Sequence, residues 1–430
     1  VGRAYMPPWL PVGPDDDAPA AFGEDEPEFF AHGLEGARHL DARELRILQA
    51  WAEAGSPRGD GEPPDPPPPA PEWELGPPDL VVEFPEFTVP AGGRDIYRNL
   101  VLRAPVDGSR WIRTAELNPG DPHVVHHARM MVDTTDSSRR LDGASEGVGF
   151  DGMEGLGVAG DPPGFFVGWT PGKGASAGHP ELAWRLDPGT DLVLQLHLRP
   201  DGRERPVRAR LGLYLADSPP EKEPVRLVLR SEEIDIEPGD SSFVVEQTYR
   251  LPVPVALLGV YPHAHYLGKR LHGWATFPDG RRRWIVRIDD WDFDWQDDYR
   301  FRDPPRLPAG TEVTMRFTYD NSRANPRNPF DPPRRVVFGA ESTDEMAELA
   351  LQFLPDDAAD VRTLQQDIAR WRYLAWSQEE ATSHRAEADA LAASGDLDGA
   401  AAAYRRSLLE ENDPEVMAEL GGILLRQEEV

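Results

Sequence analysis

From Leu80 to about Pro355 the chain is a succession of short β-branched and apolar runs cut by Gly, Pro and Asp, a punctuation that leaves little room for long helices. The runs Leu80 to Phe84, Val124 to Val132, Leu192 to Leu198, Ala209 to Leu215 and Val313 to Tyr319 read as strands. A seam at Ser218-Pro219-Pro220-Glu221-Lys222-Glu223-Pro224 splits the region into residues 80–220 and 221–356, each the size of one β-sandwich. The fold predicted is mainly β: two tandem antiparallel, jelly-roll-like sandwiches with helical segments at both ends.

The flanks have other textures. Residues 1–60 open with Met6-Pro7-Pro8-Trp9 and close with a helix over Asp41 to Gly55. There Leu45, Leu48, Ala50 and Trp51 share a face, Asp41 can cap and Gly55 can terminate. Residues 61–79, with four prolines in a row at Pro66 to Pro69, form an extended linker. Residues 357–430 turn helical. Small residues from Ala386 onward, a turn at Gly395-Asp396 and the run Tyr404-Arg405-Arg406-Ser407-Leu408 resemble tetratricopeptide repeats, a surface for a protein partner. About three repeats make a stable solenoid, so the array is expected to be cut short at Val430.

Composition narrows the chemistry. The 430 residues carry 45 Lys+Arg against 76 Asp+Glu, a net charge of -31 that repels nucleic acid and anionic membrane. With no cysteine, a metal must be held by His, Met or carboxylate, and covalent haem attachment within this sequence is excluded. No apolar run approaches the roughly 20 residues of a membrane span, and no signal peptide is recognisable. The chain opens on Val1, and a processed or truncated start is expected.

Six residues are candidate ligands. In Tyr261-Pro262-His263-Ala264-His265, a strand's period of two turns both imidazoles to one face. His126 and His127 are adjacent, so a regular strand points them apart; both can ligate a metal lying beside the backbone. His197 sits with Gln195 on one face of a strand whose other face is Leu194, Leu196 and Leu198, where polar groups need partners. Met346 offers a soft thioether, which favours copper over zinc or iron. Taken singly, each has an ordinary structural explanation: a paired core histidine, a surface pair, a core methionine. His123, His179 and His272 read as surface residues. The loop Gly164 to Gly172 reads equally as site-lining or as a plain turn; Trp291 to Tyr299 could line a pocket through Trp291, Trp295 and Tyr299, but such an alternation more often marks an ordinary strand with one buried face.

Order and flanking residues lift the six together. Val125-His126-His127, Leu194-Gln195-Leu196-His197, His263-Ala264-His265 and Thr343-Asp344-Glu345-Met346 follow one another as the motifs of the copper type II, ascorbate-dependent monooxygenases do, and Asp95-Ile96-Tyr97 matches a further motif of theirs. Over residues 80 to 355 the chain resembles that family, which includes peptidylglycine alpha-hydroxylating and dopamine beta-monooxygenases. The resemblance implies two coppers, one per sandwich. His126, His127 and His197 would hold the electron-transfer copper; His263, His265 and Met346 would hold the oxygen-activating copper and act catalytically. Gln195 and Tyr97 would stand behind the first ligand set and orient it.

The implied activity is hydroxylation of a C–H bond of a small organic substrate with O2. The electrons come from an ascorbate-like reductant or a cytochrome c domain, and the setting is periplasmic or secreted. Met6 resembles the axial ligand of a small c-type cytochrome, which would bring haem if an attachment motif lay upstream. Where the peptide-amidating members hold substrate with Arg, Asn and Tyr, this chain has Tyr261, Glu348 and Ala350, so a carboxylate-anchored peptide is not expected. A non-catalytic copper-binding or electron-transfer protein, and a scaffold with structural histidines, are the competing readings.

Overall fold

A computed structural model describes residues 11–13, 26–30, 33–36, 42–59, 61, 71–152, 159–171, 173–339, 341–410 and 414–428. Met6 and Asp41 lie outside the described residues. The chain divides into two compact units, Val1–Val361 and Arg362–Val430.

The first unit is mainly β, built from several antiparallel sheets. Among the described residues, the strands between Leu80 and Leu215 pair with one another, and so do those between Val225 and Pro355. The earlier set forms a four-stranded sheet, in the order Leu80–Glu83, Arg210–Leu215, Arg110–Asn118 and Trp184–Leu186. It also forms a five-stranded sheet, in the order Phe150–Asp151, Ile96–Arg103, Asp191–Leu198, Val125–Asp133 and Val167–Trp169.

All eight residues of the central strand Asp191–Leu198 are buried. Its pleat sends Leu192, Leu194, Leu196 and Leu198 into a core with Ile112, Leu211 and Leu213. Each such leucine contributes roughly 1.5–3 kcal/mol by leaving water. On the opposite face Val193 packs with Val101, Met131 and Phe150, and Gln195 and His197 follow it along that face. This strand therefore carries two polar side chains into a buried layer, and they must find partners there.

The later set forms one five-stranded sheet in the order Glu28–Phe29, Arg282–Ile288, Gly268–Thr276, Glu312–Tyr319 and Phe243–Arg250. It forms another in the order Val225–Ser231, Ala347–Pro355, Val255–His263 and Tyr299–Arg300, with Arg306–Leu307 as a fifth strand also paired to Val255–His263. Leu227, Leu229, Val255, Leu257, Leu271, Val313, Met315, Phe317 and Phe353 are fully buried. His272, read from the sequence as a surface residue, is buried here, and its Nε2 donates to Asp289 Oδ1 at 2.8 Å.

The flanks join these sandwiches. Glu28–Phe29 adds a parallel edge strand beside Arg283 and Trp284, and the Glu35 amide donates to the Arg300 carbonyl at 2.7 Å. The N-terminal helix runs from Ala42 to Glu53, with Leu45 and Leu48 half-buried but Ile47 and Trp51 exposed. The proline-rich stretch ends against the first sandwich: Trp73 is buried, and the amides of Glu74 and Leu75 donate to the Glu116 carboxylate at 2.6 and 3.2 Å.

In the second unit, Ala388, Ala400, Ala403, Tyr404, Val416 and Ile423 form a buried cluster among helices that include Leu397–Glu410 and Pro414–Glu428. Gly395, at φ +88°, makes the turn before Leu397, and the Asp396 carboxylate caps that helix by accepting the Gly399 amide at 2.9 Å. Among the described residues no helix is long and apolar enough to cross a membrane.

Candidate metal centre

His127 lies opposite His197 in the antiparallel pair of strands Val125–Asp133 and Asp191–Leu198. The next partner of Leu198 is Val125, so His126 is the extra residue of a β-bulge. A bulge bends its strand and re-aims a side chain. The alternation that should have sent His126 and His127 to opposite faces is broken at that point, and the two rings come within 5.4 Å of each other.

The three Nδ1 atoms form a nearly equilateral triangle: 3.3 Å from His126 to His127, 3.2 Å from His126 to His197 and 3.3 Å from His127 to His197. The centre of such a triangle is about 1.9 Å from each corner, close to the roughly 2.0–2.1 Å of an imidazole–metal bond.

The protons agree with that reading. A carboxylate only accepts, so His197 Nε2 donates to Asp95 Oδ2 at 2.8 Å and His126 Nε2 donates to Asp294 Oδ1 at 3.1 Å. With their protons on Nε2, the Nδ1 atoms of His126 and His197 face each other as lone pairs, which a cation between them relieves. His127, His197 and the two carboxylates share one electrostatic environment. Burial and mutual repulsion hold His127 well below the usual imidazole range, and burial also lowers His197 against the pull of Asp95. Burial works to raise Asp95, but the hydrogen bond from His197 and nearby Arg199 hold it below the ordinary carboxylate range. The three histidines can hold a metal ion.

Tyr97 stacks on His197 with centroids 4.3 Å apart and planes 10° from parallel. Gln195 donates to Asn99 Oδ1 at 3.1 Å and lines a nearby cavity. The groups that hold imidazole nitrogens are the carboxylates Asp95 and Asp294.

The second set is arranged differently. The strand Val255–His263 ends at His263, so His265 lies past the pleat that was expected to align the pair. The rings nevertheless stand 5.2 Å apart, edge to face. His263 Nδ1 donates to Gln296 Oε1 at 2.6 Å, an orientation fixed because Gln296 Nε2 donates to the Phe293 carbonyl at 3.1 Å. His265 Nδ1 donates to the Asp344 carbonyl at 3.1 Å. Both imidazoles are thus left with a lone pair on Nε2. Burial holds His263 below its ordinary range and drives His265 down to about 3.

Met346 is buried and lines, with His127 and His263, a cavity of about 190 Å³ between the sandwiches. Glu345 anchors this corner: its carboxylate accepts the amides of His265, of Met346 at 3.0 Å and of Leu267 at 2.9 Å. Burial pushes that carboxyl up to about 8, against the pull of those amides.

The cavity wall includes Phe166, Trp169, Thr170, Tyr261 and Glu348. Phe166 stacks on Tyr261 at 4.5 Å, so the loop from Gly164 lines this space. Gly164, at φ +75°, lies so close to Pro224 that a Cβ would collide with its carbonyl oxygen. Ala350 is buried on the strand Ala347–Pro355, opposite Tyr261.

Asp294, Gln296 and Phe293 were not singled out from the sequence. They lie in a loop, not the strand expected over Trp291 to Tyr299; only Tyr299–Arg300 is extended and paired. The available signal was a Gln and several acids set among the buried aromatics Trp291, Phe293 and Tyr299.

No protein-family model matches the chain, and no curated protein matches it. Solved structures give only distant similarity. The major capsid protein P2 of bacteriophage PM2 aligns with 64% of this chain and 97% of its own at 8% identity and a TM-score of 0.26. The Sulfolobus turreted icosahedral virus structure aligns with 66% and 97% at 9% identity and a TM-score of 0.24. PNGF-II aligns with 64% and 65% at 10% identity and a TM-score of 0.24. At such TM-scores the likeness bears on nothing in the site.

Proposed function

We propose that the chain is a copper-dependent monooxygenase of the two-copper kind its motifs resemble. It would hydroxylate a C–H bond of a small organic molecule. The observation that carries this reading is that His127, from the three-histidine set, and His263 with Met346, from the second set, line one cavity. His126, His127 and His197 would hold one copper through Nδ1. His263 and His265 through Nε2, with the Met346 thioether, would hold the other. The donor chemistry fits: imidazole suits both oxidation states of copper, and a soft thioether favours Cu(I).

When bound, the metals supply one-electron redox chemistry at both sites and reduction of O2 at the softer one. The overall reaction balances as R–H plus O2, two electrons and two protons giving R–OH and water, with an external reductant providing the electrons. The chain's own residues do the rest. Phe166, Trp169 and Tyr261 wall the cavity with aromatic surface that excludes water from a bound substrate. Asp95, Asp294, Gln296 and the Asp344 carbonyl fix which imidazole nitrogen carries a proton, so the ligands are pre-set.

Metal analysis with oxygen uptake tests this. Two coppers per chain, and O2 consumption that requires reductant and substrate and is abolished by His263→Ala, are expected. One copper, or redox cycling without oxygen uptake, would replace this reading with an electron-transfer protein. Metal content unchanged by His263→Ala with His265→Ala would make the second set structural.

A further inference from the structure

The loop from Trp291 to Asp298 touches both histidine sets. Asp294 accepts from His126 Nε2 at 3.1 Å, and Arg199 Nη1 donates to the same oxygen at 2.9 Å. Two residues on, Gln296 accepts from His263 Nδ1 at 2.6 Å. Just before Asp294, the Phe293 ring stands 5.1 Å from the His126 ring and 5.4 Å from the His265 ring.

The loop is itself tied down. Trp291 Nε1 donates to the His265 carbonyl at 3.1 Å, Thr170 Oγ1 to the Gln296 carbonyl at 2.5 Å, and Lys173 is paired with Asp298. Phe293 and Gln296 are buried, while the Asp294 side chain is more than half exposed. One short segment of the second sandwich therefore orients a ligand of each set, including one that belongs to the first sandwich.

We propose that this loop couples the two metal sites, with Asp294 and Gln296 as positioning residues. This rests on the two-metal reading above. A metal on His126 is held through Asp294, and one on His263 through Gln296. Because the loop is fixed at both ends, a shift of Asp294 on filling one set is carried to Gln296 at the other, and the coupling must be reciprocal. Asp95 does for His197 what Asp294 does for His126, but it lies on the first sandwich and not on the loop. That difference separates coupling from simple loss of a partner.

The test is anaerobic Cu(I) titration of the metal-free full chain against a chromophoric chelator, with the Cu(II) EPR spectrum of each loaded form. Asp294→Asn is expected to weaken the three-histidine site roughly ten-fold. It should also weaken the His263 site at least about five-fold, the low end of typical coupling, and shift that site's EPR parameters. Gln296→Leu, which removes the acceptor for His263 Nδ1, should weaken both sites and shift the EPR parameters of the three-histidine site as well. Asp95→Asn should change the three-histidine site alone.

If Asp294→Asn and Gln296→Leu each alter only the site they touch, the coupling is absent. Should the wild type itself bind fewer than two coppers, the two-metal reading fails instead.

Discussion

His197 donates from Nε2 to Asp95 Oδ2 at 2.8 Å, and the histidine is fully buried while the carboxylate keeps about a quarter of its surface. The pair fixes the imidazole so that Nδ1 points at the other two histidines. Removing the charge but not the shape isolates that effect. Asp95→Asn is expected to lower metal affinity at the three-histidine site by about 10-fold to 100-fold while the fold persists. Chelator competition followed by a thermal melt of the metal-free protein checks both halves.

Met346 offers a cleaner separation of the two sites. Leucine is close to methionine in volume, so Met346→Leu should cost less than about 1.5 kcal/mol in a buried setting. It removes the only sulfur of the proposed second site and touches none of the three-histidine set. Copper per chain should fall from two to one, read by elemental analysis alongside an unchanged melt. Two coppers retained by the variant would remove Met346 from the ligand set.

How much of this could be read beforehand depends on whether the cause is local. The leucine alternation in Asp191–Leu198 is local, so the strand and the polar face carrying Gln195 and His197 were legible from the chain alone. The bulge at His126 is not local: it exists only in the register against Leu198 and Val125, which no single run of residues encodes. The His263 and His265 pair came together for a different reason from the one sequence offered. The strand stops at His263, and the Glu345 carboxylate, 80 residues on, holds the His265 amide. Asp294 stands 168 residues from His126, in a loop whose aromatic and acidic alternation imitates a strand. Tertiary pairing, not propensity, supplied these partners.

Burial gives His265 a pH signature in the metal-free protein. Its folded pKa is about 3 against an ordinary 6.5. Between those values the unfolded chain holds a proton that the folded chain lacks. The group's contribution is therefore full above pH 6.5 and is lost as pH falls toward 3. Glu345, raised to about 8 from 4.5, works in the opposite sense, its contribution falling as pH rises through that range. Comparing wild type with His265→Gln cancels Glu345. The stability difference between them should be flat above pH 7 and should shrink for the wild type by about 2 kcal/mol at pH 5. Urea unfolding at both pH values measures it, and a difference independent of pH would mean that His265 titrates normally.

Glu345 itself is fully buried and is the acceptor for the amides of His265, Met346 and Leu267, which lie on two separate stretches of chain. Truncation to Ala strands all three donors where water does not replace the carboxylate, and each stranded donor costs about 1–3 kcal/mol. Glu345→Ala should therefore lose at least about 3 kcal/mol of unfolding free energy, more than deletion of an ordinary surface carboxylate does. Because the same carboxylate sets the distance between the His265 and Met346 backbones, the variant should also lose copper from that site while the three-histidine site stays loaded. Denaturation without metal and copper counting with it give the two readouts separately. Full stability together with lost copper would leave Glu345 a role in metal binding but none in holding the fold.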